Sequence, residues 1–171
     1  DLEVLHPSDR LLMKPLRWRA LKDLLIQLKG GNGLPEEPPA AVPMRNLSLR
    51  VLIAEDNSVN RKITGLMLDK IGCTFRFAEN GREVLERLSL ESFDVCLMDC
   101  HMPVMDGFEV TRRIRSGGAG SKVAEIPIIA FTAGVEPEEQ KKCLDSGMDG
   151  FLPKPLEFQE LYQILEKYTK R

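Results

Sequence analysis

The chain has 171 residues, 43% of them hydrophobic and 29% charged, with a formal net charge of −2. That is the composition of an ordinary globular protein, long enough for one domain plus an appendage. The near-neutral balance argues against nucleic acid or an anionic membrane surface as partner, and no apolar run nears the roughly 20 residues that span a bilayer.

No leader pattern opens the chain, and the initial Asp1 reads as a piece cut from something longer. The cysteines are Cys73, Cys96, Cys100 and Cys143, with no C-x-x-C pair, and the histidines are His6 and His101. A closed zinc site wants four soft ligands at short paired spacing, which this set does not supply. Cys96 sits in an apolar run and reads as a small buried hydrophobe in a reduced, intracellular domain.

In chain order, "LLMKPLRWRALKDLLIQL" (11–28) comes first, an amphipathic stretch. "GGNGLPEEPPAAVPM" (30–44) follows, dense in Gly and Pro, and reads as a linker. Then short apolar runs alternate with helical patterns. The runs are "RVLIAE" (50–55), "CTFRFA" (73–78), "VCLM" (95–98), "IPIIAF" (126–131) and "GFLP" (150–153). The amphipathic stretches are 58–71, 81–90, 107–116, 137–146 and 156–168, with "SGGAGSK" (116–122) as a loop. Alternating strand and helix call for a parallel sheet covered on both faces, and right-handed crossovers make it doubly wound. Runs such as "VCLM" and "PIIAF" fit strands buried on both faces. The expected fold is therefore α/β, a flavodoxin-like five-stranded parallel sheet in the order 2-1-3-4-5.

Residues 11–28 resemble "FLPKPLEFQELYQILEKY" (151–168) at an offset of 140, sharing Leu-x-Lys-Pro-Leu and the helical leucines after it. This reading makes residues 1–29 a strand–helix tail from a preceding domain of the same kind, 30–49 a linker, and 50–171 the main domain.

In such a sheet the carboxyl ends of strands one, three, four and five face one crevice. Strand one ends in Glu55 and Asp56, strand three in Asp99, strand four in Thr132, and strand five is followed by Lys154. Like carboxylates about 4 Å apart repel by roughly 4 kcal/mol at an effective dielectric near 20. Either one stays protonated or a cation joins them. Hard oxygen donors suit Mg2+. With Thr132 as hydroxyl donor and Lys154 as cation, the set matches the needs of phosphoryl transfer, with Asp99 as nucleophile.

At this point "LIAEDNSVN", "LMDCHMPVMDG", "PIIAFTA" and "GFLPKP" resemble the receiver domain of two-component response regulators, over residues 50–169. "EDNSVN" and "MDGFEVTRRIR" are similar to receivers attached to hybrid sensor histidine kinases. The resemblance implies that Asp99 is the phosphoacceptor and that Asp56 is the principal Mg2+ carboxylate, with Mn2+ able to substitute. Glu55 stands where many members have Asp and would act mostly through water. The backbone carbonyl of His101 would be a further metal ligand. Thr132 and Lys154 would contact the phosphoryl group, Phe151 would be the switch aromatic paired with Thr132, and Lys154–Pro155 a cis peptide. Partners would be a histidine kinase or a histidine phosphotransfer domain, with no nucleic acid, no membrane contact and room for a weak homodimer. The fragment would catalyse only its own phosphorylation and dephosphorylation, in the cytoplasm, as part of a histidine kinase that could be membrane-anchored.

Blander roles stand beside these. Asp99 could be a turn or cap residue, Lys154 a solvated surface lysine, Thr132 a strand residue and Phe151 core. The side chain of His101 reads as a solvent-facing loop residue placed to tune hydrolysis. Val59, Ile63, Leu66, Met67 and Ile71 form an apolar stripe expected to face the core. Leu68 lies off the stripe and is expected to be exposed, where it could dock a histidine-bearing partner. Other functions fit less well. An aspartate-nucleophile phosphatase wants an acid two positions after the nucleophile, where this chain has His101. A nucleotide- or flavin-binding domain wants a Gly- or Ser-rich first loop, where this chain has acidic "AEDNSVN". A receiver kept only for docking would not need the intact acidic set.

Overall fold

In a computed structural model, residues 45–118, 120, 123–132 and 137–169 are described. The expected strand–helix tail at 1–29 and the linker up to residue 44 lie outside these residues.

Five strands form one parallel sheet, as the alternation of elements predicts, in the expected order β2-β1-β3-β4-β5. They are β1 (Arg50–Ala54), β2 (Thr74–Ala78), β3 (Val95–Asp99), β4 (Ile128–Thr132) and β5 (Gly150–Pro153). The connecting helices are α1 (Ser58–Ile71), α2 (Gly81–Leu90), α3 (Gly107–Arg115) and α4 (Pro137–Ser146), and α5 (Phe158–Glu166) closes the domain. Side-chain alternation along a strand splits the interior into two cores. Leu52, Ala54, Cys96, Met98, Ile128 and Ala130 pack with Val84, Leu88, Val110, Ile114 and Cys143 on one face. Val51, Ile53, Val95, Leu97, Ile129 and Phe131 pack with Leu68, Ile71, Leu161 and Leu165 on the other. Leu47 and Leu49, just before β1, are buried in this second core.

Helix starts follow local chemistry. Asn57 accepts from the amides of Val59 and Asn60, Asn80 from those of Arg82 and Glu83, and Asp106 from that of Glu109. Gly107 is required where α3 begins, because a Cβ there would lie 2.3 Å from the carbonyl oxygen of Asp99. The Asp-Gly pair thus sets α3 directly against the end of β3.

Helix α1 corrects the expectation drawn from its apolar stripe. Leu68 is 0% exposed and belongs to the core, whereas Leu66 is 65% exposed, and Val59 and Ile63 also face solvent. The buried face is Thr64, Gly65, Leu68 and Ile71. The reason is size. A Cβ on Gly65 would approach Phe75 Cζ to 3.1 Å and Phe77 Cζ to 3.2 Å, so the side chains of β2 fill the room that a larger residue at position 65 would need. Of the expected stripe, Ile71 is buried and Met67 packs against the core, but Val59, Ile63 and Leu66 turn outward, so the buried face is rotated from the one that counting apolar residues selects. Leu68→Ala would therefore report loss of packing, about 2–5 kcal/mol, and not docking.

Candidate functional site

Strand register brings the polar residues to one edge. Ala54 pairs with Met98, so Glu55 and Asp56 leave β1 level with Asp99 at the end of β3. Asp99 pairs with Phe131, and Thr132 with Pro153, which places Lys154 one step beyond. Lys154 Nζ lies 2.6 Å from Asp99 Oδ2 and 2.8 Å from Glu55 Oε2. Glu55, Asp56 and Asp99 each offer a carboxylate oxygen within 4.8 Å of the others. Glu55 is 1% exposed and Asp99 5%, while Asp56 faces solvent. Glu55, Asp56, Asp99 and Lys154, scattered over a hundred residues of chain, form one cluster.

The electrostatics follow from that burial. Removal from water lifts the pKa of Asp99 above its ordinary value. The Lys154 hydrogen bond, the amide of His101 donating to Oδ1 at 3.1 Å, and the Lys154 charge pull it down, and the Glu55 charge raises it further. Burial works against the Lys154 ammonium, but its hydrogen bonds to Asp99 and Glu55 outweigh burial and lift its pKa above the ordinary lysine value. One ammonium among three carboxylates leaves an excess of negative charge. Three hard oxygen donors so close suit an octahedral Mg2+ that keeps part of its water shell. The donor set therefore fits such an ion.

Thr132 is buried at the end of β4, and its hydroxyl donates to Glu139 Oε1 at 2.6 Å. The exposed His101 side chain brings Nε2 to 3.3 Å from that same oxygen. Phe151 is half-buried against the Cys96–Met98 face of the core. The peptide before Pro155 is cis. Cys100 and Cys143 bring their sulfurs within 3.8 Å in that core, and burial pushes both thiols up, so neither is a thiolate at neutral pH.

Three residues to which the motif reading gives no role support the site. Asn60 donates its side-chain amide to Glu55 Oε1 at 3.0 Å. Arg61 donates from Nη1 to the carbonyls of Glu55 and Asp56, at 2.9 and 2.8 Å, and is anchored by Glu79 at 2.8 Å. The guanidinium thus pins both acidic residues through their backbone. Glu139 is the third. The first two had a signal, since five and six residues after Glu55 is the first turn of the helix that follows β1. Glu139 had none, because its partners come from β4 and from the loop after β3.

A doubly wound parallel sheet with a lysine-bridged acidic cluster at its carboxyl edge defines a class of α/β domain whose site suits a divalent cation. Residues 51–166 match the family model of the response regulator receiver domain, and the chain belongs to that family. It is 40% identical over 144 residues to hybrid signal transduction histidine kinase A of Dictyostelium discoideum, an alignment covering 84% of this chain and 6% of that protein. Among solved structures it resembles the receiver domain of sensor histidine kinase PA1611 from Pseudomonas aeruginosa, which has a magnesium ion coordinated in its active-site cleft. That match has a TM-score of 0.66 and 33% identity over 71% of this chain and 98% of the other. A co-crystal structure of the Saccharomyces cerevisiae phosphotransfer protein Ypd1 with the Ssk1 receiver domain also matches, with a TM-score of 0.65 and 29% identity over 71% and 89% of the two chains. Among the described residues no helix is long and apolar enough to cross a membrane.

Proposed function

We propose that Asp99 is the phosphoacceptor of this receiver domain and that the donor is a phosphohistidine on a histidine kinase or phosphotransfer domain. What carries the reading is the contact of Lys154 Nζ with Asp99 Oδ2 at 2.6 Å beside Glu55 and Asp56. The amide of His101 and the ammonium of Lys154 hold the Asp99 carboxylate in one orientation, ready for in-line attack. An Asp99 oxygen bonds to phosphorus as the bond from phosphorus to the donor imidazole nitrogen breaks. The electron pair stays on that nitrogen, which then takes a proton from water. Lys154 follows the charge onto the phosphoryl oxygens, and Thr132 supplies a hydroxyl donor to one of them. Glu55, Asp56, Asp99 and the backbone carbonyl of His101 would hold Mg2+, or Mn2+ in its place, which neutralises charge on those oxygens when bound. Thr132 and Phe151 then move together as the switch. Hydrolysis of the aspartyl phosphate by water returns inorganic phosphate and the free carboxylate.

The exposed apolar face of α1 is the docking surface we assign to the donor, in place of Leu68. Ile63 lines a cavity of about 470 Å3 together with Glu55, Lys154 and Pro155, and it also lines a neighbouring one of about 280 Å3 together with Leu66 and Met67, so the exposed apolar face runs on from Ile63 toward the acidic cluster. The Ypd1 complex of a structural relative supports a partner of this kind. The parent chain would be a hybrid sensor histidine kinase.

The decisive experiment is incubation with Mg2+ and an amidophosphate donor followed by intact mass. Wild type should gain one phosphoryl group, about 80 Da, and Asp99→Asn none; an equal gain in both would end the reading. Leu66→Asp should slow transfer from a phosphorylated phosphotransfer protein by about tenfold or more while leaving the amidophosphate reaction unchanged.

A further inference from the structure

Thr132 lies one position past Phe131, the register partner of Asp99, so the switch hydroxyl and the phosphoacceptor sit on neighbouring strand ends. That hydroxyl donates to Glu139 Oε1, and His101 Nε2 approaches the same oxygen. Glu139 therefore gathers one group from the end of β4 and one from the loop after β3, the two segments flanking Asp99. A hydroxyl has a single proton. While it is given to Glu139 it cannot be given to a phosphoryl oxygen.

We propose that Glu139 is a positioning residue that latches Thr132 in the resting state, and that loading of the site exchanges the Glu139 carboxylate for a phosphoryl oxygen as the acceptor. The proposal rests on the Asp99 reading above and adds a residue outside the metal cluster to it. A ligand shifts a two-state equilibrium only by its differential affinity for the two states, so a bond made only at rest subtracts from the apparent affinity for the phosphoryl group. Hydroxyl-to-carboxylate bonds are charge-assisted and among the stronger side-chain hydrogen bonds. The latch thus keeps the switch from closing on a site that carries no phosphoryl group.

The test uses beryllofluoride with Mg2+, a phosphoryl mimic, titrated by calorimetry. Glu139→Ala should bind it about tenfold more tightly than wild type. Glu139→Gln keeps an acceptor of the same reach without the charge and should fall between the two. In a Thr132→Ala background, Glu139→Ala should leave the affinity unchanged, because the latched hydroxyl is already gone; a merely structural role would persist there. Unfolding midpoints establish that each variant is folded. Unchanged or weaker binding by folded Glu139→Ala, or an equal gain in the Thr132→Ala background, overturns the latch. If folded wild type neither binds beryllofluoride nor gains a phosphoryl mass, the Asp99 reading fails instead and takes the latch with it.

Discussion

The two edges of the sheet use the same side-chain types to opposite ends. At the amino edge Glu91 meets Arg50, Arg76 and Arg87 at 3.4, 3.6 and 3.7 Å, all with well-exposed guanidinium groups. At the carboxyl edge one lysine meets two carboxylates at 2.6 and 2.8 Å, and both acids are buried. The amino-edge cluster has cations in excess and water to screen them, so its geometry is loose and its pairs are weak. The carboxyl edge has anions in excess and little water, so each charge depends on its neighbours. Burial, not composition, separates the two ion-pair clusters.

Removing Lys154 should expose that difference most sharply. In metal-free buffer Lys154→Met should lose about 3–5 kcal/mol in urea unfolding, since two buried carboxylates are left without their cation. Added Mg2+ should restore part of the loss, and stability equal to wild type would show that the edge carries no charge strain. Arg61→Ala comes next. Losing the donor that pins the carbonyls of Glu55 and Asp56 should weaken Mg2+ binding by about tenfold in calorimetry, with the fold retained.

Asp99 itself should act in the opposite sense to Lys154. Its pKa is raised above 3.8 on folding, chiefly by burial, so folding favours the protonated form. The stability it contributes is present below 3.8 and is lost as the pH rises through the higher folded value. At neutral pH it therefore strains the fold, and metal-free Asp99→Asn should melt above wild type. The gap should close as the pH falls to the acid side of that window, whereas a gap independent of pH would refute the assignment. The smallest effect belongs to the amino edge, where Glu91→Ala should change stability by no more than about 1 kcal/mol and leave phosphorylation untouched. A larger loss there would erase the contrast between the edges.

The alternation of apolar runs with amphipathic stretches was enough to specify a doubly wound parallel sheet with its strand ends gathered at one edge, and the resemblance of the motifs at Glu55, Asp56, Asp99 and Lys154 to a receiver domain supplied the order 2-1-3-4-5. Caps at Asn57, Asn80 and Asp106 were equally local, each needing only the amides two or three residues on. The inward face of α1 was not legible. Thr64 and Gly65 are buried there because Phe75 and Phe77 occupy the space opposite, and the volume left by a neighbouring strand cannot be read from the hydropathy of the helix it receives. The role of Glu139 was likewise a tertiary decision, since an acid in the first turn of any helix looks the same until β4 and the loop after β3 arrive beside it. Periodicity records which elements form and in what order. Steric fit and long-range hydrogen bonding decide which face turns in and which carboxylate meets Thr132.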